Sequence, residues 1–72
     1  MIHEQLLGAF DVQWKKDRMG RSVEMSDLPD LGIAGTWMLV HVFDNGDCVF
    51  ESEGEKHVTL SSRTAYALMN QS

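Results

Sequence analysis

The stretch Thr36-Trp37-Met38-Leu39-Val40-His41-Val42-Phe43-Asp44-Asn45-Gly46-Asp47-Cys48-Val49-Phe50 decides the fold. Its first half is dense in β-branched and aromatic residues, which suit a pleated, half-buried surface. Asp44-Asn45-Gly46-Asp47 then breaks the run, and Cys48-Val49-Phe50 resumes it. Asn-Gly between two apolar runs is a strong hairpin signal, because both central residues of a type I′ turn take positive φ. With Asn45-Gly46 as a two-residue loop, Phe43 faces Cys48, Val42 faces Val49 and His41 faces Phe50. Trp37, Leu39, His41, Phe43, Cys48 and Phe50 then share one face of the sheet. Met38, Val40, Val42 and Val49 share the other. Both faces are apolar, so both need cover.

Reading outward from this hairpin, Glu53-Gly54-Glu55 is a second turn and His57 to Leu60 a short strand. Ser61 or Ser62 caps a final helix, with Leu60 placed as a hydrophobic staple and Ala65, Leu68 and Met69 as the buried stripe. Upstream, Phe10, Val12 and Trp14 alternate with Asp11 and Gln13, which predicts a half-buried strand. Lys15 to Gly20 is a polar connection, and Val23 and Met25 mark a return strand, giving a first hairpin with a charged tip. Ser26 to Gly35 carries Pro29, Gly32 and Gly35, so it is a loop or one helical turn, packed on the core through Leu28, Leu31, Ile33 and Ala34. Ile2 to Phe10 has helical spacing but no N-cap and an internal Gly8, which leaves a short helix and an irregular lead-in both open. The sum is an α+β fold: a small antiparallel sheet of four to five short strands, built as two β-hairpins plus a short strand, with a C-terminal helix.

Composition bounds the rest. The chain has 72 residues, one domain over 1–72, and 43% of them are apolar, with six aromatics, which argues against disorder. The longest apolar run is Trp37 to Val40, so no membrane-spanning helix is expected. Glu4 and Gln5 interrupt any signal-peptide pattern at the start. The single cysteine, Cys48, excludes an intramolecular disulfide framework and points to a reducing compartment, the cytoplasm. A core this small rarely supplies more than about 3–5 kcal/mol by itself, which favours association with a partner, most simply a second copy.

Six Lys and Arg stand against eleven Asp and Glu, a net charge of −5, so binding to nucleic acid through bulk charge is disfavoured. Four of the six bases, Lys15, Lys16, Arg18 and Arg21, lie at the expected hairpin tip, where they could meet phosphates or an acidic protein patch. Asp44, Asp47, Glu51, Glu53 and Glu55 form an acidic rim. Turn chemistry and solvation explain such a rim, and a calcium loop needs a ligand spacing that Asp44-Asn45-Gly46-Asp47 lacks. The sharper alternative is that the rim imitates a run of phosphates and draws the basic groove of a nucleic-acid machine.

No metal site is expected, because His41, Cys48 and His57 lack the paired short spacings of zinc sites. Cys48 sits among carboxylates, which oppose a reactive thiolate, so no catalytic residue and no cofactor are implied. No phosphate-binding glycine loop or hydrolase motif occurs. Trp37, Met38, Val40 and Val42 are the apolar interface candidates, since Trp and Met are frequent interface anchors. The expected function is a non-enzymatic, protein-binding module, self-associating as a homodimer and occupying or modulating a partner protein. The alternatives are a phage-type inhibitor of a nucleic-acid machine, of the anti-CRISPR or anti-restriction kind, and a nucleic-acid binder using the basic tip.

Overall fold

The computed structural model describes residues 8–25 and 33–70. The expected lead-in over residues 2–7 and most of the 26–35 loop lie outside these residues. The described part is α+β, with order α1 (Val12–Lys16), β1 (Ser22–Glu24), β2 (Thr36–Val42), β3 (Cys48–Ser52), β4 (His57–Leu60) and α2 (Ser62–Asn70). The strands form one antiparallel sheet in the order β1-β2-β3-β4.

The sequence pattern explains both hairpins at the centre of the sheet, but with a different loop. The Gly46 amide donates to the Phe43 carbonyl at 2.9 Å, and the Phe43 amide to the Asp47 carbonyl at 2.8 Å. Gly46 has φ +95°. This is a three-residue loop: a type I turn followed by a left-handed residue, the second commonest hairpin solution. Asn-Gly satisfies it as well as the two-residue loop, with only the glycine at positive φ. The extra residue moves the register, so Val42 faces Cys48, His41 faces Val49 and Leu39 faces Phe50, with a bulge between Leu39 and His41. The next loop repeats the device. Ser52 and Lys56 close it, and Glu55 takes the left-handed position at φ +62°.

Register and bulge together sort the side chains. Trp37, Leu39, Val42, Cys48, Phe50 and Leu60 point into the core, where Val23 and Met25 from the β1 segment and Ala65, Leu68 and Met69 of α2 meet them. His41 and Phe43, expected inside, are exposed. Val42, expected on the second face, is inside.

The strand expected over Phe10 to Trp14 is a helix from Val12, and the first hairpin does not form. Asp11 is the reason: its side chain accepts from the Trp14 amide at 3.0 Å, a standard N-cap. Five residues of alternation are too few to outweigh a cap. The return strand exists, but its partner is β2, with Val23 opposite Trp37. At the other end Ser61 caps α2: its hydroxyl accepts from the Thr64 amide at 3.4 Å and its carbonyl from the Ala65 amide at 2.9 Å. The stripe Ala65, Leu68 and Met69 is buried as its spacing predicts.

Candidate functional site

Both helices contribute to the core side of the sheet: Val12 and Trp14 of α1 and Ala65, Leu68 and Met69 of α2 all join the one cluster. The opposite face has no helix over it among the described residues. It carries Met38, 39% exposed, with Val40 and Val49 half-buried beside it. Ser22, Glu24, Thr36, Glu51, His57 and Thr59 surround these residues, and the His57 Nε2 lies 2.7 Å from a Glu51 oxygen. A shallow groove at one end of this face runs from Ser22 and Met38 to Glu51, Glu53 and Glu55. The four apolar interface candidates therefore divide. Met38 and Val40 are on the open face, whereas Trp37 and Val42, each 5% exposed, belong to the core cluster.

The acidic rim divides as well. Asp44 and Asp47 belong to the β2–β3 loop, Glu53 and Glu55 to the β3–β4 loop, at opposite ends of β3. The five residues of β3 separate Asp47 from Glu53, six Cα steps or roughly 20 Å at the usual rise. Asp47 is engaged internally, its Oδ1 accepting from the Ser62 amide at 3.0 Å. One contiguous string of phosphate-like charges is not what these residues build.

The basic tip loses its first member. Lys15 is fully buried. Its ammonium donates to the Gly46 carbonyl at 2.7 Å, to the Ser62 carbonyl at 3.0 Å, to the Ser62 Oγ at 2.5 Å and to the Ala9 carbonyl. Ser62 is buried too, and its hydroxyl donates to the Ala9 carbonyl. Three segments far apart in sequence are thus tied at one cation. Burial pushes the Lys15 ammonium below its ordinary value, and the charges of Cys48, Asp47 and Asp11 pull partly the other way. A lysine beside a serine can activate the hydroxyl as a nucleophile only if the amine is free to take a proton and substrate can reach it. Here the ammonium is committed to acceptors and both side chains are enclosed, so the cluster is a clasp. Cys48 extends it, its Sγ lying 3.4 Å from the same Gly46 carbonyl. Burial raises the thiol pKa, with the Lys15 charge opposing, so this cysteine is held as an unreactive thiol. Among the described residues no three His, Cys, Asp or Glu side chains converge to hold a metal ion.

Lys16, Arg18 and Arg21 remain at the surface end of α1 and the connection to β1. Arg18 lies over the Trp14 ring, 3.7 Å from its centroid, and its Nη1 donates to the Trp14 carbonyl at 2.8 Å. Tyr66 of α2 sits beside Trp14 at 5.0 Å between ring centroids. Sequence reasoning passed over this Arg–Trp–Tyr stack. The four-residue spacing of Trp14 and Arg18 would have marked it once the segment was read as helix. Phe10, Met19 and Phe43 are further exposed apolar residues that periodicity had not placed at the surface.

The site and fold define a small α+β module with one sheet face that carries no helix among the described residues. Comparison with known proteins adds no family to that class: no family model, curated protein or solved structure matches the chain.

Proposed function

We propose that this chain is a non-catalytic protein-binding module whose docking surface is the open face of its sheet. One observation carries the reading. The face opposite the helices keeps Met38 exposed and Val40 and Val49 half-exposed, with acids at the groove end. A half-exposed apolar centre with a polar rim is the ordinary anatomy of an interface. The rim favours a partner whose apolar patch is bordered by Lys or Arg. It disfavours a second copy, since each copy carries net charge −5 and Glu24, Glu51, Glu53 and Glu55 would face their own kind. Self-association, the expectation from the small core and the hairpin apolar on both faces, is therefore the weaker form of the reading. The divided acids lend no support to phosphate imitation.

The test is native mass spectrometry of the tagged chain drawn gently from the cells that make it. Three forms are compared: unaltered, Met38→Asp on the open face, and Arg63→Ser on the exposed side of α2. A stoichiometric partner should accompany the unaltered and Arg63→Ser chains and leave with Met38→Asp. A partner retained by Met38→Asp, or a bare monomer throughout, would defeat the proposal.

A further inference from the structure

We propose that the cleft between α1, β1 and the end of α2 is a binding site for a phosphate-class oxyanion. This is distinct from the docking face and stands or falls without it. The cleft holds about 130 Å³ and is lined by Trp14, Arg18, Arg21, Ser22 and Asn70, with Val23 and Met69 below them. Among the described residues no acidic side chain lines it. In a chain of net charge −5, two arginines on one cleft with no acidic residue among its described lining are unexpected.

The two arginines play different parts. Arg18 is fixed: it is stacked on Trp14 and bonded to the Trp14 carbonyl through one nitrogen. A guanidinium has five N–H donors, so most of its fork stays available in a set orientation. Arg21 is exposed, and among the described residues it has neither a hydrogen-bond acceptor nor an ion-pair partner for its side chain. Asn70, the last residue of α2, adds an uncharged polar side chain to the lining. A pre-oriented arginine and a free arginine at one hollow suit a group with several acceptor oxygens and a charge near −2.

Size narrows the ligand. Pockets for drug-sized molecules run to roughly 300–1,000 Å³, and a water occupies about 30 Å³ of liquid. The cleft therefore has room for a phosphate or sulfate group. Arg18 already covers one face of the Trp14 ring and Tyr66 packs beside it at a tilt, so the ring is not a free platform for a base. The ligand is a free phosphate or the phosphate monoester of a small molecule.

The experiment titrates the ¹⁵N-labelled chain with inorganic phosphate, glycerol phosphate, sulfate and a short DNA duplex. Two indole N–H signals report, from Trp14 at the cleft and Trp37 in the core. Phosphate and sulfate should move the Trp14 signal and leave that of Trp37, whose N–H is bonded to the Ala34 carbonyl, in place. Arg21→Gln should weaken phosphate binding about tenfold, the loss of one charge-assisted hydrogen bond, with thermal stability unchanged. Phosphate binding should weaken as pH falls through neutral, where the inorganic dianion takes a proton, while sulfate binding should not follow it. A stronger response to glycerol phosphate than to phosphate assigns the site to a small monoester; equal responses assign it to the free anion. The proposal is overturned if the anions leave Trp14 unmoved, if Arg21→Gln binds as before, or if only the duplex binds.

Discussion

Replacing Lys15 by Met removes one cation and leaves its acceptors in place. The ammonium serves the carbonyls of Ala9, Gly46 and Ser62 and the Ser62 hydroxyl, all enclosed. An orphaned buried acceptor costs about 1–3 kcal/mol. The lower end applies here, because the Ala9 carbonyl keeps the Ser62 hydroxyl and the Gly46 carbonyl keeps the weak Cys48 donor. Three carbonyls at that rate give roughly 3 kcal/mol, set against relief from burying a charge. The expected net loss is about 2–3 kcal/mol, most of the ~3–5 kcal/mol available to a core of this size. Urea unfolding followed by tryptophan fluorescence measures it, with the exposed neighbour variant Lys16→Met as control, expected within about 0.5 kcal/mol of the parent. Lys15→Met and Lys16→Met with equal midpoints would refute the clasp. The same residue gives a pH signature. Its folded pKa lies below the ordinary 10.5, so the unfolded chain binds more protons between the two values. The Lys15 contribution to stability is then greatest above 10.5 and is lost as pH falls through the folded value. Lys15→Met should remove that alkaline rise from the midpoint-against-pH curve.

Four other outcomes follow from the same geometry. Glu55→Gly should raise stability by about 0.5–1 kcal/mol, because a glutamate holds a left-handed loop position that glycine takes freely, and thermal melts will show it. Gly46→Ala should cost at least about 2 kcal/mol: φ is +95°, and a Cβ would collide with the Ser62 hydroxyl and lie 3.2 Å from the Lys15 ammonium. Asp11→Ala should lower stability by about 1 kcal/mol through loss of the α1 cap, read in the same urea series. The Cys48 thiol should react with an aromatic disulfide reagent only at the rate of global unfolding. Burial keeps its stabilising effect intact below its ordinary 9.0 and releases it as pH rises through the higher folded value, so rapid labelling at neutral pH would contradict its placement.

The sheet from Thr36 to Leu60 and the capped final helix were legible because pattern, turn residues and cap agree. The register was not, since Asn45-Gly46 fits two loop lengths and one residue of difference exchanges the faces. Only the bulge after Leu39 reconciles Trp37, Leu39 and Val42 on a single side, and no residue type announces it. The period-2 run at Phe10 to Trp14 yielded to Asp11, which caps α1. Lys15 could not have been found at all, because its acceptors are backbone carbonyls at residues 9, 46 and 62. Of the site, Met38 and Val40 were named from the pattern; their separation from Trp37 and Val42 needed the register.

Methionine oxidation of the chain bound to its partner tests the docking face most directly. In the free chain Met19 and Met38 are exposed and should oxidise with dilute peroxide, while Met25 and Met69 are buried and should not. In the complex, peptide mass spectrometry should find Met38 protected and Met19 still oxidised. Met38 oxidising as fast in the complex as alone, or protection confined to Met19, would place the partner elsewhere and contradict the open-face account.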